Sequence, residues 1–310
     1  MQLKMAGSPR ILQFFYRIYF GFWIPTLAWA SMWWPLSLMY WKARRLVMLP
    51  FYLLRPKYLR ALRGNYARIL ALPERHAEVR RLAWQMGYEH AYHWIDFFRW
   101  SQSDPELLRA NIEAVEGEEY FASARASGRG TLLLTAHMGN PEVGAVAMGR
   151  SLEPIHVLYW RDRFAVAEEF RERLRSRGNV CGIPVDASPF SVVPALRVLE
   201  QGGIAAAHGD RDFNDQGWPL DFFGATAKFP PGPFLLAARA GALIIPTYFL
   251  VRNDRRFHVI YEPAISLDTA DSLEERARAA MRVWVASLER RIREHPEQWY
   301  CFYPFWQPAS

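Results

Sequence analysis

Residues 131–142 read TLLLTAHMGNPE, an apolar run that delivers a histidine to its end and then turns at Gly139, Asn140 and Pro141. Five apolar or β-branched residues followed by a Gly-Asn-Pro turn are typical of a buried strand that leads into a helix. In open α/β sheets, active sites lie at the carboxyl ends of the strands. The stretch therefore predicts a parallel strand with His137 at its functional end.

Further apolar runs separated by charged helical segments follow this strand. The runs span residues 155–160, 180–185, 203–208, 242–251 and 257–265, and helices are predicted at 164–177, 192–201 and 272–295. Ser272 and Glu275 form a capping-box pattern at the start of the last helix. This alternation predicts an α/β fold with a mainly parallel central sheet flanked by helices, beginning at residue 130.

The N-terminal part has a different texture. Residues 18–41 contain no charged residue, and this stretch is long enough to form a membrane-spanning helix. The stretch also contains Pro25, Pro35 and several tryptophans, which equally suit a bent anchor at the membrane interface. Basic residues at 42, 44, 45, 55, 57, 60 and 63 predict that the rest of the chain is cytoplasmic. We divide the chain into an anchor with a basic juxtamembrane segment (1–60) and a globular domain (61–310), whose helical lead-in extends to about residue 129.

The composition of the chain limits the classes of partner that it is expected to bind. The chain has 310 residues, a formal charge of +7, and 13 Trp, 14 Tyr and 20 Phe, which together favour contact with an anionic membrane surface, a phosphorylated substrate or an acidic carrier protein. Its basic residues are dispersed and accompany no nucleic-acid-binding signature, so we expect no nucleic-acid partner. Two isolated cysteines indicate a reducing compartment and no disulfide framework.

His137 and Glu142 are the candidate catalytic residues. The turn between them can bring the carboxylate back to the imidazole, where it would accept the Nδ1 proton and leave Nε2 to deprotonate an attacking hydroxyl or amine. From the residues alone, a structural histidine is an equally open reading.

Several ordered blocks carry a resemblance to a known family. The sequence HMGNPE at 137–142, GDRDF at 209–213, LDFFGATAKFPPGP at 220–233 and GALIIP at 241–246 occur in this order. Together they resemble the bacterial lipid A biosynthesis acyltransferases of the lysophospholipid acyltransferase superfamily, whose signature is His, four residues, then Asp or Glu. The resemblance covers about 130–306, and the apolar N-terminus matches the family's membrane anchor.

The resemblance implies transfer of a fatty acyl chain from acyl carrier protein or coenzyme A to a lipid or glycolipid acceptor at the cytoplasmic face of a bacterial inner membrane. No acyl-enzyme is implied, and the chain has no Gly-x-Ser-x-Gly nucleophile motif. Neither a metal nor a cofactor beyond the acyl donor is expected. An acyl thioesterase or lipid ester hydrolase using the same pair, or a noncatalytic membrane lipid-binding protein, remains an alternative.

Residues around the carboxyl ends of the predicted strands, which we call the rim, are predicted to bind substrate. Arg211 is the candidate for a phosphate or a developing oxyanion, and it is flanked by two carboxylates. The full set of predicted substrate-binding residues is Asn140, Arg161, Arg163, Asp210, Arg211, Asp212, Phe223, Lys228, Phe229 and Gly232. Ion-paired or solvated loops and an aromatic core are the competing structural readings of these positions.

The end of the chain departs from the lipid A enzymes. It keeps a His-Pro-Glu-Gln-Trp pattern at 295–299 but continues into aromatics, where those enzymes tend to carry basic residues. Related members acylate phosphatidylinositol mannosides, aminolipids or other glycolipids. The sequence therefore points away from a lipid A precursor as the acceptor.

Overall fold

Nine strands build the sheets of the protein in a computed structural model that describes residues 24–54, 56–151, 153–161, 165–185, 188–268 and 272–306. The strands are β1 (Ile112–Glu116), β2 (Thr131–Thr135), β3 (Ile155–Tyr159), β4 (Val180–Pro184), β5 (Ile204–His208), β6 (Trp218–Phe222), β7 (Ala225–Phe229), β8 (Leu243–Val251) and β9 (Phe257–Tyr261). Seven of them form one sheet in the order β1-β9-β8-β2-β5-β3-β4, and β6 and β7 form a separate hairpin. The contiguous strands β8, β2, β5, β3 and β4 are parallel, which confirms the mainly parallel sheet.

Twelve α-helices connect and cover the strands in the described part of the chain. They are α1 (Ile24–Trp33), α2 (Leu36–Lys42), α3 (Leu49–Leu54), α4 (Pro56–Leu70), α5 (Ala77–Trp100), α6 (Pro105–Ala110), α7 (Glu118–Ala126), α8 (Pro141–Ser151), α9 (Ala165–Ser176), α10 (Val193–Glu200), α11 (Gly232–Ala240) and α12 (Leu273–Glu294). A π-helical segment, Ala43–Met48, joins α2 to α3. The predicted capping box is confirmed, because the Glu275 amide donates to Ser272 Oγ at 3.2 Å.

The central strands are buried on both faces, as their uninterrupted apolar sequences predicted. Leu132 and Leu134 belong to a core cluster shared with α4, α10, α11 and α12, whereas Leu133 belongs to a second cluster shared with α7 and α8. Successive side chains of a strand point to opposite faces, so the sheet is the middle of three layers. This arrangement leaves the strand ends as the places where polar side chains can gather.

Two elements were not predicted. The lead-in that extends to about residue 129 was expected to be helical, but Ile112–Glu116 forms edge strand β1 parallel to β9. This strand is short and largely exposed, so its sequence signal is weak. The β6–β7 hairpin turns at Phe223 and Gly224, both with positive φ (53° and 69°). A two-residue hairpin turn requires such angles, and the Phe at its first position conceals the usual Asn-Gly signal.

The apolar N-terminal segment is divided into short helices. Helix α1 ends just before Pro35 and α2 begins just after it, as expected of a residue that cannot continue a helix. Among the residues described, none of the helices combines the length and apolar character that crossing a membrane requires. Of the segment predicted as anchor and juxtamembrane region (1–60), residues 1–23 and residue 55 lie outside the described residues.

Candidate active site

The register of two neighbouring strands places His137 beside Asp210. Thr135 of β2 is the partner of His208 of β5, and the Gly209 amide donates to the Thr135 carbonyl at 2.9 Å. His137 lies two residues after Thr135, and Asp210 lies two residues after His208, so both leave the sheet at the same edge. His137 and Asp210 therefore meet at the carboxyl ends of β2 and β5, the location that parallel α/β sheets favour for active sites.

Asp210 is the hydrogen-bond partner of the His137 imidazole. The Nδ1 atom of His137 lies 2.7 Å from Asp210 Oδ1, and the backbone N–H of His137 donates to both carboxylate oxygens at 3.2 Å. Asp210 is only 1% exposed. With the carboxylate accepting from Nδ1–H, the neutral imidazole carries its lone pair on Nε2.

The surrounding charges keep this pair in its reactive ionisation states. Burial and the nearby Arg211 lower the pKa of His137 against the opposing charge of Asp210. Burial alone would raise the pKa of the Asp210 carboxyl, but His137 and Arg211 hold it well below its usual range. A neutral imidazole on a carboxylate is the combination that a general base needs near neutral pH.

The side chain of His137 is partly exposed, and its other ring nitrogen, Nε2, is not engaged by the residues that the structure describes. The exposed fraction of this side chain is 24%. His208 stacks on the ring with centroids 4.2 Å apart, and burial lowers the pKa of His208 to about 3. The stacked ring of His208 is thus uncharged at neutral pH.

The predicted contact between Glu142 and His137 is wrong. Glu142, the second residue of α8, instead accepts from Arg175 of α9 at 2.6 and 3.0 Å. Although burial would raise the pKa of the Glu142 carboxyl, Arg175 lowers it to about 2. A permanent guanidinium charge in bidentate geometry attracts a carboxylate more strongly than a neutral imidazole does, which explains the exchange of partners.

The turn after His137 is fixed by backbone geometry. Gly139 has φ 63°, and a Cβ there would lie 2.2 Å from the Phe249 carbonyl oxygen. Asn140 is fully buried: its Nδ2 donates to the His93 carbonyl at 3.1 Å and its Oδ1 accepts from the Val143 amide at 3.2 Å. Both polar ends of the Asn140 side chain therefore hold the turn and cap α8, and the structure gives no free group for the predicted substrate contact.

The remaining rim residues separate into several environments. Arg211 Nη2 donates to the Tyr300 carbonyl, and the buried Nε of Arg211 has no hydrogen-bond partner among the residues that the structure describes. Asp212 accepts from the Gln216 and Gly217 amides at 3.2 and 2.7 Å and so closes a turn. Arg161 is exposed after β3, and Arg163 lies outside the described residues. Of the rim residues that the structure describes, Asp210 binds the His137 imidazole and Arg211 lies near enough to lower its pKa.

The block at 220–233 contains the β6–β7 hairpin and the start of α11. Phe229 is fully buried against Phe222, Phe223 is 7% exposed and receives Arg293 over its ring, and Lys228 pairs with Asp215 on the surface. Gly232 begins α11 with open space where a Cβ would be. Phe223 and Phe229 thus lie in the core, Lys228 lies on the surface, and their predicted contact with substrate stays a prediction.

A C-terminal segment, residues 295–306, which we call the strap, hydrogen-bonds to the backbone around His137 and was not predicted from the sequence. The Tyr300 amide donates to the His137 carbonyl at 2.8 Å, the Gly139 amide donates to the Gln298 carbonyl at 3.0 Å, and the indole of Trp299 donates to Asp210 Oδ2 at 3.0 Å. The conspicuous His-Pro-Glu-Gln-Trp pattern was the available signal.

Across the described residues, no three His, Cys, Asp or Glu side chains are grouped so as to hold a metal ion.

Comparison with known proteins finds similar sequences over most of the chain. The family model for bacterial lipid A biosynthesis acyltransferases matches residues 12–308. A phosphatidylinositol mannoside acyltransferase of Mycolicibacterium smegmatis is 24% identical over 251 residues, covering 79% of this chain and 78% of that protein. The phosphatidylinositol mannoside acyltransferase of Mycobacterium tuberculosis strain H37Rv is 23% identical over 252 residues, covering 79% and 76%.

Proposed function

This chain belongs to the bacterial lipid A biosynthesis acyltransferase family and is an acyltransferase of lipid or glycolipid acylation, and we propose that it works by direct general-base attack on an acyl thioester. The observation that carries the proposal is the His137–Asp210 pair, with Nδ1 held at 2.7 Å and the side chain 24% exposed. The base is in place and oriented, and the substrate supplies the nucleophile.

In the proposed step, His137 Nε2 takes the proton of an acceptor hydroxyl as its oxygen attacks the thioester carbonyl. The tetrahedral intermediate collapses, the C–S bond breaks, and the leaving thiolate takes the proton back from the imidazolium. Products are an ester and a free thiol, and the enzyme returns to its starting state. Asp210 holds the tautomer and stabilises the transient imidazolium.

The cysteines support a route without an acyl-enzyme. Cys301 is the one near the site, and burial raises the pKa of its thiol to about 12, so it is not a thiolate at neutral pH. Cys181 lies on β4 and has no base placed beside it among the described hydrogen bonds. Glu142 then acts as a positioning residue, because its pairing with Arg175 ties the helix after His137 to α9.

The proposed donor is acyl carrier protein or coenzyme A carrying the fatty acid, and the proposed acceptor is a sugar hydroxyl of a glycolipid. The mannoside-acylating relatives and the aromatic C-terminus favour a phosphoglycolipid over a lipid A precursor. The exposed Arg161 at the rim and the net charge of +7 suit an anionic headgroup.

We place the enzyme on the cytoplasmic face of the inner membrane through an interfacial N-terminal segment. Trp29, Trp33, Trp41 and Leu53 are 61%, 72%, 55% and 70% exposed, and Lys42, Arg44 and Arg45 accompany them. Exposed tryptophans beside basic residues suit the headgroup layer. Flotation with anionic vesicles tests this: the wild type should float, a Trp29→Ser/Trp33→Ser/Trp41→Ser variant should float less, and a wild type that stays at the bottom contradicts the attachment.

Transfer is distinguished from hydrolysis by an acceptor assay. The purified full chain is incubated with palmitoyl-CoA or palmitoyl-acyl carrier protein, with and without phosphatidylinositol dimannoside in detergent micelles. Thiol release that depends on the acceptor and yields an acylated mannoside supports the proposal. Equal thiol release with free palmitate in both reactions identifies a hydrolase, and lipid binding without thiol release identifies a noncatalytic protein.

A further inference from the structure

Asp210 has two carboxylate oxygens, and only one of them serves His137 Nδ1. The other, Oδ2, accepts from Trp299 Nε1 at 3.0 Å. Trp299 is 2% exposed and Asp210 1% exposed, so water does not compete for this oxygen. We propose that Trp299 is a positioning residue of the acyl-transfer site, whose indole N–H fixes the Asp210 carboxylate so that Oδ1 stays aligned with the imidazole. This inference rests on the proposed function.

The indole itself is held on both sides along the chain. Before it, the Gln298 carbonyl accepts from Gly139, and after it, the Tyr300 amide donates to the His137 carbonyl. Met138 and Trp299 also form an antiparallel bridge. The strap is therefore joined to the same turn that carries the catalytic histidine, and the indole cannot shift without moving that turn.

Aromatic rings fix the remaining freedom of the indole. The rings of Phe305, Phe222 and Trp306 pack around Trp299 with centroids 4.9, 6.0 and 6.3 Å away. Trp306 is in turn fixed by a hydrogen bond to the Phe222 carbonyl at 2.9 Å. The aromatic ending of the chain thus has a role: it packs around the indole that donates to Asp210.

Removal of the indole N–H has two expected consequences. The carboxylate loses a donor and gains rotational freedom, so Oδ1 departs from its alignment with Nδ1 and turnover falls. The carboxylate charge is also less stabilised, so it attracts the imidazole proton more strongly and the pKa of His137 rises. A purely structural tryptophan would produce neither a selective loss of kcat nor a changed pKa.

Other groups near His137 also influence its protonation and are retained in the test. They are His208, Asp210 and Arg211 from β5 and its end, Glu142 from α8, and His90 and His93 from α5. Cys301 and Tyr303 of the strap interact electrostatically with Asp210 and Arg211 and are retained as well. None of them is altered by a substitution at Trp299, so a changed pH profile reports the loss of the indole, and an analogue that keeps the fused ring assigns the change to the N–H.

The test compares Trp299→Phe with Trp284→Phe in the full-length enzyme. Trp284 is also fully buried, and its indole donates to a backbone carbonyl, that of Leu134, at 3.2 Å. We measure kcat and KM for palmitoyl-CoA with phosphatidylinositol dimannoside from pH 5 to 8. Trp299→Phe should lower kcat by about 10- to 100-fold with KM nearly unchanged and move the acid limb to higher pH, whereas Trp284→Phe should lower thermal stability without moving the acid limb.

Two further measurements test the role of Trp299 if the first comparison cannot be made. If Trp299→Phe does not fold, β-(3-benzothienyl)alanine at position 299 retains the fused ring and replaces only the N–H by sulfur. If the wild type neither transfers nor hydrolyses the acyl group, the proposed function fails, but ¹⁵N-histidine NMR still reports the pKa of His137, identified by comparison with His137→Ala. An unmoved acid limb, or in that case an unchanged His137 titration, would overturn the role of Trp299.

Discussion

The Nδ1 atom of His137 lies 2.7 Å from Oδ1 of Asp210, which joins residues 73 positions apart at the ends of neighbouring strands. The residue that the sequence motif offers as partner, Glu142, is occupied by Arg175. Asp210 therefore orients the base, and Glu142 anchors the helix that follows it. This division makes different predictions for the two.

Asp210→Asn should lower kcat by about 10² to 10⁴. Three donors converge on the carboxylate, namely the imidazole Nδ1–H, the His137 amide and the Trp299 indole. An asparagine side chain supplies only one acceptor oxygen, so either the imidazole adopts the other tautomer or an N–H faces another donor. Steady-state kinetics at constant pH measures the effect.

The matched control for this substitution is Asp215→Asn in the same loop. Asp215 forms an exposed ion pair with Lys228, which contributes little to stability. It should keep near wild-type kcat. Equal losses in the two variants would indicate that the loop as a whole, rather than the carboxylate of Asp210, is responsible.

Glu142→Gln should act first on stability. Arg175 is 3% exposed, and removal of its counter-charge leaves a buried guanidinium unpaired, at a cost of about 3–5 kcal/mol. A Glu142→Gln/Arg175→Met double variant should recover part of this loss in chemical denaturation. If Glu142→Gln unfolds like the wild type and yet is as inactive as Asp210→Asn, Glu142 takes part in the chemistry directly.

The protein should lose stability as the pH falls below 6.5. Burial lowers the pKa of His90 and His208 to about 3 and of His93 to about 4, so the unfolded chain binds protons between about pH 6.5 and 4 that the folded chain does not. Each such histidine removes up to about 1.4 kcal/mol per pH unit in this window. Urea unfolding at pH 7.5 and 5.5 should show the drop, and His90→Gln should make it smaller. A free energy of unfolding that is equal at the two pH values would contradict these assignments.

Substitutions at Arg211 should separate its charge from its shape. Its positive charge lowers the pKa of His137, so Arg211→Gln should move the acid limb of the rate profile to higher pH, whereas Arg211→Lys should leave the limb in place. Arg211→Lys should still lower kcat, because a lysine lacks the planar fork that reaches Tyr300. Wild-type kcat in a folded Arg211→Lys enzyme would assign Arg211 to electrostatics alone.

The layers of the fold and the position of His137 follow from local sequence patterns. Apolar runs such as 131–136 report burial on both faces, and the turn at Gly139 follows directly from residue types. Asp210 was identified as a rim residue, but its pairing with His137 depends on β2 and β5 being neighbours. Strand order is a tertiary property that the spacing within one segment does not contain.

The errors have the same origin. Glu142 is near His137 in sequence, but α9 brings Arg175 to it from 33 positions away, and a full charge outweighs a neutral ring. The strap reaches the site from the end of the chain, 89 positions after Asp210. Edge strand β1 and the Phe223-Gly224 hairpin carry weak local signals because half-exposed strands and unusual turn residues conceal their periodicity.

The central claim is that His137 is the base for acyl transfer, and palmitoyl transfer to phosphatidylinositol dimannoside by His137→Ala tests it most directly. Exposed His76, which caps α5, provides the control in His76→Ala. His137→Ala should remain folded and lose at least about 10² to 10⁴ in kcat, and adding Asp210→Asn should cost little more, because the carboxylate acts only through the imidazole. His76→Ala should transfer normally. Wild-type transfer by folded His137→Ala would contradict the account.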